Sequence, residues 1–262
     1  MIDFHAHAFA DALAPRALAN LSQASGGLAP RTDGTLSGAA ALFQAAGVEW
    51  GVIANIATKP SHQHTVNEWA ARHNERPFVQ FGSVHPDAPD ALEELEYIAA
   101  SGLKGVKFHP EYQRFYVDEP RMKPIYRKLA SLGLIALFHA GWDIGLPPPC
   151  HCAPEMLARA LPWFDGAPVV AAHLGGWQMA ERVVSHLCGL PLYFDTAYCA
   201  AHVPVWQVRM LLDRHGVQRI LLGSDLPWSH PLEEARLLQT ILGEGADYRA
   251  VTDGNARRLL GL

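Results

Sequence analysis

The sequence predicts a single (β/α)8 barrel domain that spans residues 1–262. Short apolar runs alternate with longer amphipathic segments along the chain, which is the pattern of β-α units built on a parallel sheet. Eight such runs can be counted, and 262 residues is the usual length of one α/β barrel. Histidine or aspartate ends or follows most of the runs. The chain shows no internal repeat or linker, so no second domain is expected.

The predicted strands are short and rich in Val, Ile, Leu and Phe, as expected for a buried parallel sheet. They are Met1–His5, Trp50–Ile56, Phe78–Val84, Leu103–His109, Leu134–His139, Val169–His173, Leu192–Asp195 and Arg219–Asp225. Amphipathic segments lie between and after them and predict helices, because apolar residues recur there at three- and four-residue spacing. These segments are Asp90–Ala100, Pro124–Leu132, Pro154–Phe164, Val203–His215, Leu232–Leu242 and Tyr248–Leu260.

Two segments predict long loops over the end of the barrel at which the strands terminate. Residues 22–37 are rich in Gly, Ser and Ala, and follow the first strand. Pro147, Pro148 and Pro149 mark a second loop after the fifth strand. Both would lie over a site at the carboxyl ends of the strands, where barrel enzymes carry their chemistry.

Composition excludes several classes of protein. The net charge of −5 offers no basic surface for nucleic acid. No apolar run approaches the roughly 20 residues that span a bilayer, and the N-terminus lacks the features of a signal peptide. The four cysteines form neither a zinc-type pair of CxxC motifs nor a disulfide framework, so a reducing cytoplasm is expected. The expected partner is a small molecule, and self-association as a homodimer stays open.

His5 and His7 are the most informative residues of the chain. They lie two residues apart at the end of the first predicted strand, so their side chains point to the same face. Two imidazoles held side by side can bind one metal ion. A single His-x-His motif is weak evidence, because chance produces it often.

Later strands end in the same residue types, which strengthens this hypothesis. Lys107 and His109 end strand 4 and share a face. The other strand-end candidates are His85 after strand 3, His139 on strand 5, His173 on strand 6, Asp195 on strand 7 and Asp225 on strand 8. Imidazole and carboxylate together suit zinc, iron or manganese, and three or four such ligands leave a position for water or substrate.

The sequence resembles the amidohydrolase superfamily, within it the group that contains aminocarboxymuconate-semialdehyde decarboxylase and related enzymes. Five motifs carry the resemblance in the order of the family and extend from the first strand to the last. They are Phe4-His5-Ala6-His7, Gly105-Val106-Lys107-Phe108-His109-Pro110, Leu137-Phe138-His139-Ala140-Gly141, Ala172-His173-Leu174-Gly175-Gly176 and Gly223-Ser224-Asp225-Leu226-Pro227-Trp228.

The resemblance implies a divalent metal site, with zinc as the expected ion and Mn²⁺ or Fe²⁺ as alternatives. The implied ligands are His5, His7, His139 and Asp225, with His173 beside them as acid or base. Asp225 would also accept a proton from the water that the metal activates. In this family the metal either activates water or polarises a substrate carbonyl.

Other residues near the strand ends allow two interpretations each. Lys107 either forms a salt bridge inside the barrel mouth, which we favour, or is carboxylated and bridges two metals, a role that Glu111 could also take. Asp195 either orients a ligand histidine or is a hydrogen-bonded core carboxylate.

Three residues are candidates for substrate contact: His109, Glu111 and His151. His109 could instead anchor its loop by a hydrogen bond, and Glu111 with Tyr112 and Arg114 could be a solvated loop. His151 lies in Cys150-His151-Cys152, where the spacing of the two thiols is poor for a metal. Six further histidines fall in helical segments and are expected at the surface: His62, His64, His73, His186, His202 and His215.

Two activities fit these observations. The first is a metal-dependent hydrolase of a small amide, ester or lactone that uses metal-activated water. The second is a metal-dependent, non-oxidative decarboxylase, a carbon–carbon lyase, of a small unsaturated or aromatic acid. A barrel that stores metal without turnover is disfavoured, because His173 and Asp225 add acid–base groups that storage does not need.

Overall fold

Eight parallel strands form one sheet in which the spatial order follows the sequence order. The computed structural model describes residues 1–262. The strands are Ile2–Ala6 (β1), Trp50–Ala54 (β2), Phe78–Gly82 (β3), Gly105–Phe108 (β4), Ile135–Phe138 (β5), Val169–Ala171 (β6), Tyr193–Asp195 (β7) and Ile220–Leu221 (β8).

The two edges of this sheet approach each other beside β1. The amide of Phe4 donates to the carbonyl of Leu222 over 2.7 Å, and the amide of His7 donates to the carbonyl of Leu226 over 2.5 Å. Ala6 and Leu226 form an isolated parallel bridge. The sheet is therefore a nearly closed barrel, and the predicted (β/α)8 fold is confirmed.

Helices surround the strands. They are Ala14–Ala24 (α1), Leu36–Ala46 (α2), Gln63–Arg72 (α3), Ala91–Ala100 (α4), Pro110–Gln113 (α5), Lys123–Ser131 (α6), Pro154–Ala160 (α7), Ala180–His186 (α8), Val205–His215 (α9), Pro231–Leu242 (α10), Ala246–Arg249 (α11) and Asn255–Leu260 (α12). None is long and apolar enough to cross a membrane.

The segment 22–37, predicted as a loop, is partly helical, and this prediction was wrong at both ends. Helix α1 continues to Ala24 and helix α2 begins at Leu36. Both helices are rich in alanine, the strongest helix former. Thr35 caps α2, because its side chain accepts a hydrogen bond from the amide of Gly38. The intervening stretch, residues 25–35, remains a connection between the two helices.

Other differences concern element bounds. Most predicted strands are longer than the observed ones, because the residues that carry the candidate side chains leave the hydrogen-bonded ladder. The clearest case is β8, where Arg219–Asp225 was predicted and only Ile220–Leu221 pair. The predicted final helix, Tyr248–Leu260, divides into α11, a π-helical turn at Ala250–Gly254, and α12.

The barrel interior is filled by alternate residues of the strands. On β5, Ile135 and Leu137 belong to an inner cluster of 13 buried residues, whereas Ala136 and Phe138 belong to the larger layer between sheet and helices. Residues of β5 therefore alternate between the barrel interior and the layer beneath the helices. Because His139 has the same parity as Leu137, it continues the inner face at the carboxyl end.

Gly223 allows the last strand to approach the first. A Cβ atom at this position would lie 2.9 Å from the Cβ of His5 and 3.3 Å from that of Asp195. A separation under 3.0 Å would require one of these side chains to move. Because residue 223 is glycine, His5 and Asp195 can pack directly against the backbone that leads to Asp225.

Candidate active site at the carboxyl end of the barrel

A cavity of about 450 Å³ lies over the carboxyl ends of the strands. Seven residues predicted from the sequence line it: His5, His7, Lys107, His109, His139, His173 and Asp225. Leu28 and Ser25, from the segment after α1, also line the cavity, as do Trp142 and Ile144 from the loop after β5. The two predicted covering segments thus contribute to its wall, although Pro147–Pro149 themselves do not line it.

His5, His7 and Asp225 form a compact group. The Nε2 atoms of the two histidines are 3.2 Å apart. Oδ1 of Asp225 lies 3.5 Å from Nε2 of His5 and 3.3 Å from Nε2 of His7. Ligands about 2.1 Å from a tetrahedral metal lie about 3.4 Å from one another. The three separations therefore match the edges of such a coordination shell.

The hydrogen bonds on the other side of each ring determine which nitrogen carries the proton. Nδ1 of His7 lies 2.8 Å from the carbonyl of Ala54, which can only accept. Nδ1 of His5 lies 2.8 Å from Oδ2 of Asp195. Both Nδ1 atoms must therefore donate, and burial lowers the pKa of His5 well below its usual range. With neutral rings, the two Nε2 atoms and a carboxylate oxygen face one another as acceptors, and a cation between them would bind all three.

His139 and His173 form a second pair in the same cavity. Nδ1 of His139 lies 3.1 Å from Nε2 of His173. Nδ1 of His173 donates to the carbonyl of Ala197 over 2.9 Å, so its Nε2 is unprotonated. Nε2 of His139 lies 3.3 Å from the carbonyl of Trp142. Burial lowers the pKa of His139 to about 3, so its ring carries one proton for these two contacts.

The fourth predicted ligand is therefore placed differently from the other three. His139 points its Nδ1 at His173, and its Nε2 lies 4.0 Å from Oδ2 of Asp143. His139, Asp143 and His109 form a separate group of candidate ligands. If Nε2 of His139 donates to the carbonyl of Trp142, each of the four site histidines bonds an acceptor at the wall through one ring nitrogen. The other ring nitrogen of each then points into the cavity. This is the arrangement in which histidines bind metals.

Asp195 and Lys107 are buried residues that contact the site histidines. Asp195 is fully buried, accepts from His5 Nδ1 through Oδ2, and accepts from the amide of His173 through Oδ1 over 2.9 Å. Nζ of Lys107 lies 2.9 Å from Nε2 of His5, and burial lowers the pKa of Lys107 to about 8. Lys107 thus contacts the face of His5 that a metal would occupy, and Asp195 orients two site histidines, as one of its two interpretations predicted.

Asp143 is a site residue that the sequence analysis missed. Its Oδ2 lies 3.2 Å from Nε2 of His109, and its Oδ1 accepts from the amide of Gly145 over 2.7 Å. The ring of His109 stacks on that of His139 with centroids 4.3 Å apart. Asp143 lies in a loop five residues beyond β5, away from any strand end, and its spacing of four residues from His139 was the only available signal.

The position of His109 is compatible with both interpretations given above. It lines the cavity, and its Nδ1 accepts from the amide of Tyr112 over 3.4 Å, which caps the short helix α5. Tyr112 lines the cavity as well, and its ring stacks on that of His109. Arg114 is exposed and does not line the cavity.

Glu111 and His151 do not line the cavity, so the predicted substrate contacts of these two residues are not supported. They pack instead on each other, because Oε1 of Glu111 accepts from the amide of His151 over 2.9 Å. Oε2 of Glu111 and Nδ1 of His151 are both buried without a hydrogen-bond partner. Burial raises the pKa of Glu111 to about 7.

Replacing Glu111 with glutamine is expected to stabilise the protein at pH 8 by about 3 kcal/mol and to change its stability little at pH 4. The folded state holds the Glu111 proton up to about pH 7, whereas the unfolded chain releases it near the ordinary value of 4.5. The wild-type protein therefore loses stability between these two values as pH rises, and the neutral amide does not. Urea unfolding of both proteins at pH 4 and pH 8 measures the difference.

The matched control is Glu93→Gln, which neutralises an exposed glutamate on α4. It should leave the pH dependence of unfolding close to that of the wild-type protein. Equal destabilisation of Glu111→Gln at both pH values would show that Glu111 is ionised in the folded state at neutral pH.

The remaining histidines occupy varied positions. His62, His64, His186 and His202 are exposed as predicted, and His73 is partly buried. His215 is buried, which contradicts the prediction, because its ring stacks on Phe194 at 3.8 Å and its Nε2 bonds the carbonyl of Leu192. His85 is buried beside β3 but does not line the cavity.

The backbone adopts left-handed conformations at the two predicted catalytic residues. The φ angle is +57° at His173 and +66° at Asp225. Such angles are uncommon for residues other than glycine and persist where surrounding structure fixes them, frequently at functional sites. At Asp225 the fixing contact is the amide, which donates to the carbonyl of His5 over 2.7 Å.

Comparison with known proteins identifies the family. The model of the family described as Amidohydrolase matches residues 2–262. The chain belongs to this family. The amidohydrolase family consists of enzymes that typically use a divalent metal, and the group of His5, His7 and Asp225 provides a candidate site for one. No curated protein matches the chain.

Solved structures of similar fold include proteins of different chemistry. An uncharacterised TIM-barrel protein from Bordetella bronchiseptica matches with 20% identity and a TM-score of 0.75, over 100% of this chain and 98% of its own. The 5-carboxyvanillate decarboxylase from Sphingomonas paucimobilis matches with 14% identity and a TM-score of 0.72, over 100% and 99%. A probable 2-pyrone-4,6-dicarboxylic acid hydrolase from Acinetobacter baumannii matches with 16% identity and a TM-score of 0.69, over 100% and 99%. At these identities the likeness concerns the fold.

Proposed function

We propose that this amidohydrolase is a metal-dependent hydrolase of a small amide, ester or lactone. The observation that carries the proposal is the set of three acceptor atoms on His5, His7 and Asp225, whose mutual distances of 3.2–3.5 Å suit one metal ion. His139 would complete the ligand set through Nδ1, and zinc is the ion best matched to three imidazoles and one carboxylate. When bound, the metal would supply a Lewis acid for the substrate carbonyl and lower the pKa of water.

The residues around this group would handle protons. Asp225 uses Oδ1 toward the two imidazoles, which leaves Oδ2 to accept a proton from the attacking water. His173 presents an unprotonated Nε2 and would take up and return a proton, either to stabilise developing charge or to protonate the leaving group. Asp195 would fix the positions of His5 and His173 relative to each other, since it accepts hydrogen bonds from the ring of His5 and from the backbone amide of His173.

The wall of the cavity would bind the body of the substrate and exclude water. Seventeen of its 31 lining residues are hydrophobic. Seven of the lining residues are Phe, Tyr or Trp: Phe9, Trp69, Tyr112, Trp142, Trp177, Tyr198 and Trp228. Such a lining favours a flat or apolar substrate with a single reactive group at the metal end.

A carbon–carbon lyase, a non-oxidative decarboxylase, is the second candidate, and one observation favours it. Lys107 places a cationic nitrogen 2.9 Å from His5 Nε2, at the inner end of an aromatic cavity. An aromatic or unsaturated acid could direct its carboxylate to this end. In that reaction His173 would deliver a proton to the carbon that loses carbon dioxide.

Isotope labelling separates the two reactions. The metal-loaded protein would be tested with a panel of aryl esters, lactones, anilides and aromatic carboxylic acids in H₂¹⁸O and in D₂O. We expect turnover of an ester, lactone or amide, with ¹⁸O in the carboxylate product. Release of carbon dioxide with deuterium on carbon and no ¹⁸O incorporation would establish the lyase instead, and turnover that is equal without metal would contradict both.

A further inference from the structure

We propose that the substrate carries a positively charged amine and that Asp143 binds this amine within the cavity. The inference rests on the proposed function in one respect, namely that this cavity is the substrate site. It goes further by assigning a chemical class to the part of the substrate that does not react.

Asp143 is an enclosed carboxylate without a cationic side chain beside it. Only 9% of its side chain is exposed. Its contacts are the ring of His109, the amide of Gly145 and, at 4.0 Å, Nε2 of His139; no Lys or Arg contacts it. Enclosing a charge in this way costs free energy unless an opposite charge pairs with it. A ligand cation would supply that pairing.

The charges of the cavity lie at two different places. Lys107 is the only Lys or Arg that lines the cavity, and it contacts His5 at the candidate metal group. Asp143 lies against His109 and His139, in a group separate from that of His5 and His7. The end formed by the metal and Lys107 suits a carbonyl or an anionic group, whereas Asp143 suits a cation. With no arginine in the lining, the cavity offers no bidentate partner for a second carboxylate.

Two aromatic residues of the cavity lining are linked to Asp143, one by sequence and one through His109. Trp142 precedes it in the chain, Tyr112 stacks on its partner His109, and both rings line the cavity. An adjoining pocket of about 340 Å³ is also lined by Asp143, Trp142 and Trp177. Asp143 therefore lines both the main cavity and this second pocket. A carboxylate in a cavity lined by aromatic rings is a combination that binds alkylammonium groups.

Three probes of one shape test the inference by binding alone. Benzylamine is protonated at pH 7 as other alkylamines are, benzyl alcohol is neutral, and benzoate is an anion. Their dissociation constants would be measured by titration calorimetry on wild-type protein and on Asp143→Asn of equal metal content. We expect wild-type protein to bind benzylamine at least about tenfold more tightly than benzyl alcohol, and Asp143→Asn to lose this preference.

Two control variants separate charge recognition from structure. Asp213→Asn removes one negative charge from an exposed position on α9 and should keep the preference. Asp143→Glu retains the carboxylate and should keep part of the preference for benzylamine over benzyl alcohol. Should Asp143→Asn fail to fold, the wild-type preference together with its persistence in Asp143→Glu decides the matter.

Equal binding of benzylamine and benzyl alcohol by wild-type protein would overturn the inference. So would a preference that Asp143→Asn retains, or benzoate binding more tightly than benzylamine. None of these measurements involves turnover, so the inference can fail while the hydrolase proposal stands, and the reverse is equally distinguishable.

Discussion

Replacing His5 and His7 together with alanine is expected to remove most of the bound metal and all of the activity. The double variant deletes two of the three acceptor atoms that converge within 3.5 Å, and leaves Asp225 without either imidazole. Loss of a residue that only supports a ligand already costs about 10–100-fold in metal affinity, so loss of two ligands should exceed this range. Elemental analysis of protein purified without added metal, followed by competition with a chromogenic chelator, measures the loss.

Single variants refine this test, because the two histidines are buried to different degrees. His5 is fully buried and pairs with both Asp195 and Lys107, so its removal also takes one hydrogen-bond partner from each of these two buried groups. His7 is partly exposed, and its replacement costs only the hydrogen bond to the carbonyl of Ala54 outside the metal group. His7→Ala is therefore the variant in which lost metal is least confused with lost stability.

The matched control is His62→Ala, which removes an exposed histidine that lines the same cavity but belongs to neither ligand group. It should keep the metal content of the wild-type protein. Stoichiometric metal in the His5→Ala/His7→Ala protein would show that the ion binds elsewhere. A ratio near two ions per wild-type chain would indicate a binuclear centre, with His173 or Lys107 as candidate ligands of the second ion.

The fold could be predicted from the sequence because the apolar residues recur with the periods of strands and helices. Each strand is a short apolar run, and its inner residues alternate with outer ones, as Leu137 and Phe138 show on β5. The same alternation placed His139 on the inner face without knowledge of the tertiary structure. Helix α1 escaped prediction because alanine, serine and glycine mark its last turn and the following connection alike, so no contrast in composition marked its end.

The site was harder to predict, because ring orientation and loop path depend on distant partners. The carbonyls of Ala54, Ala197 and Trp142 help to determine which nitrogen of each histidine faces the cavity. These carbonyls belong to backbone that any residue could supply, so the sequence carries no signal for them. Glu111 was assigned to the substrate for its position after β4, but the chain turns there into α5 and buries the carboxylate against residue 151.

Asn at position 173 is expected to leave fold and metal in place and to lower the rate by about 10²–10⁴-fold, the usual contribution of a general acid or base. His173 adopts φ +57°, and asparagine is among the residues that tolerate this left-handed conformation. The amide of asparagine can also donate to the carbonyl of Ala197, as Nδ1 of His173 does. What the variant lacks is Nε2, the atom that faces His139 and the cavity.

The measurements are kcat, KM and metal content of His173→Asn beside the wild-type protein and His202→Asn. His202 is an exposed histidine that stacks on the cavity residue Tyr198, and its replacement should change kcat by less than about threefold. A fall in kcat with unchanged metal supports proton transfer by Nε2 of His173. Loss of metal would make His173 a ligand and the centre binuclear. Full activity would show that proton transfer belongs to another group, such as Asp225.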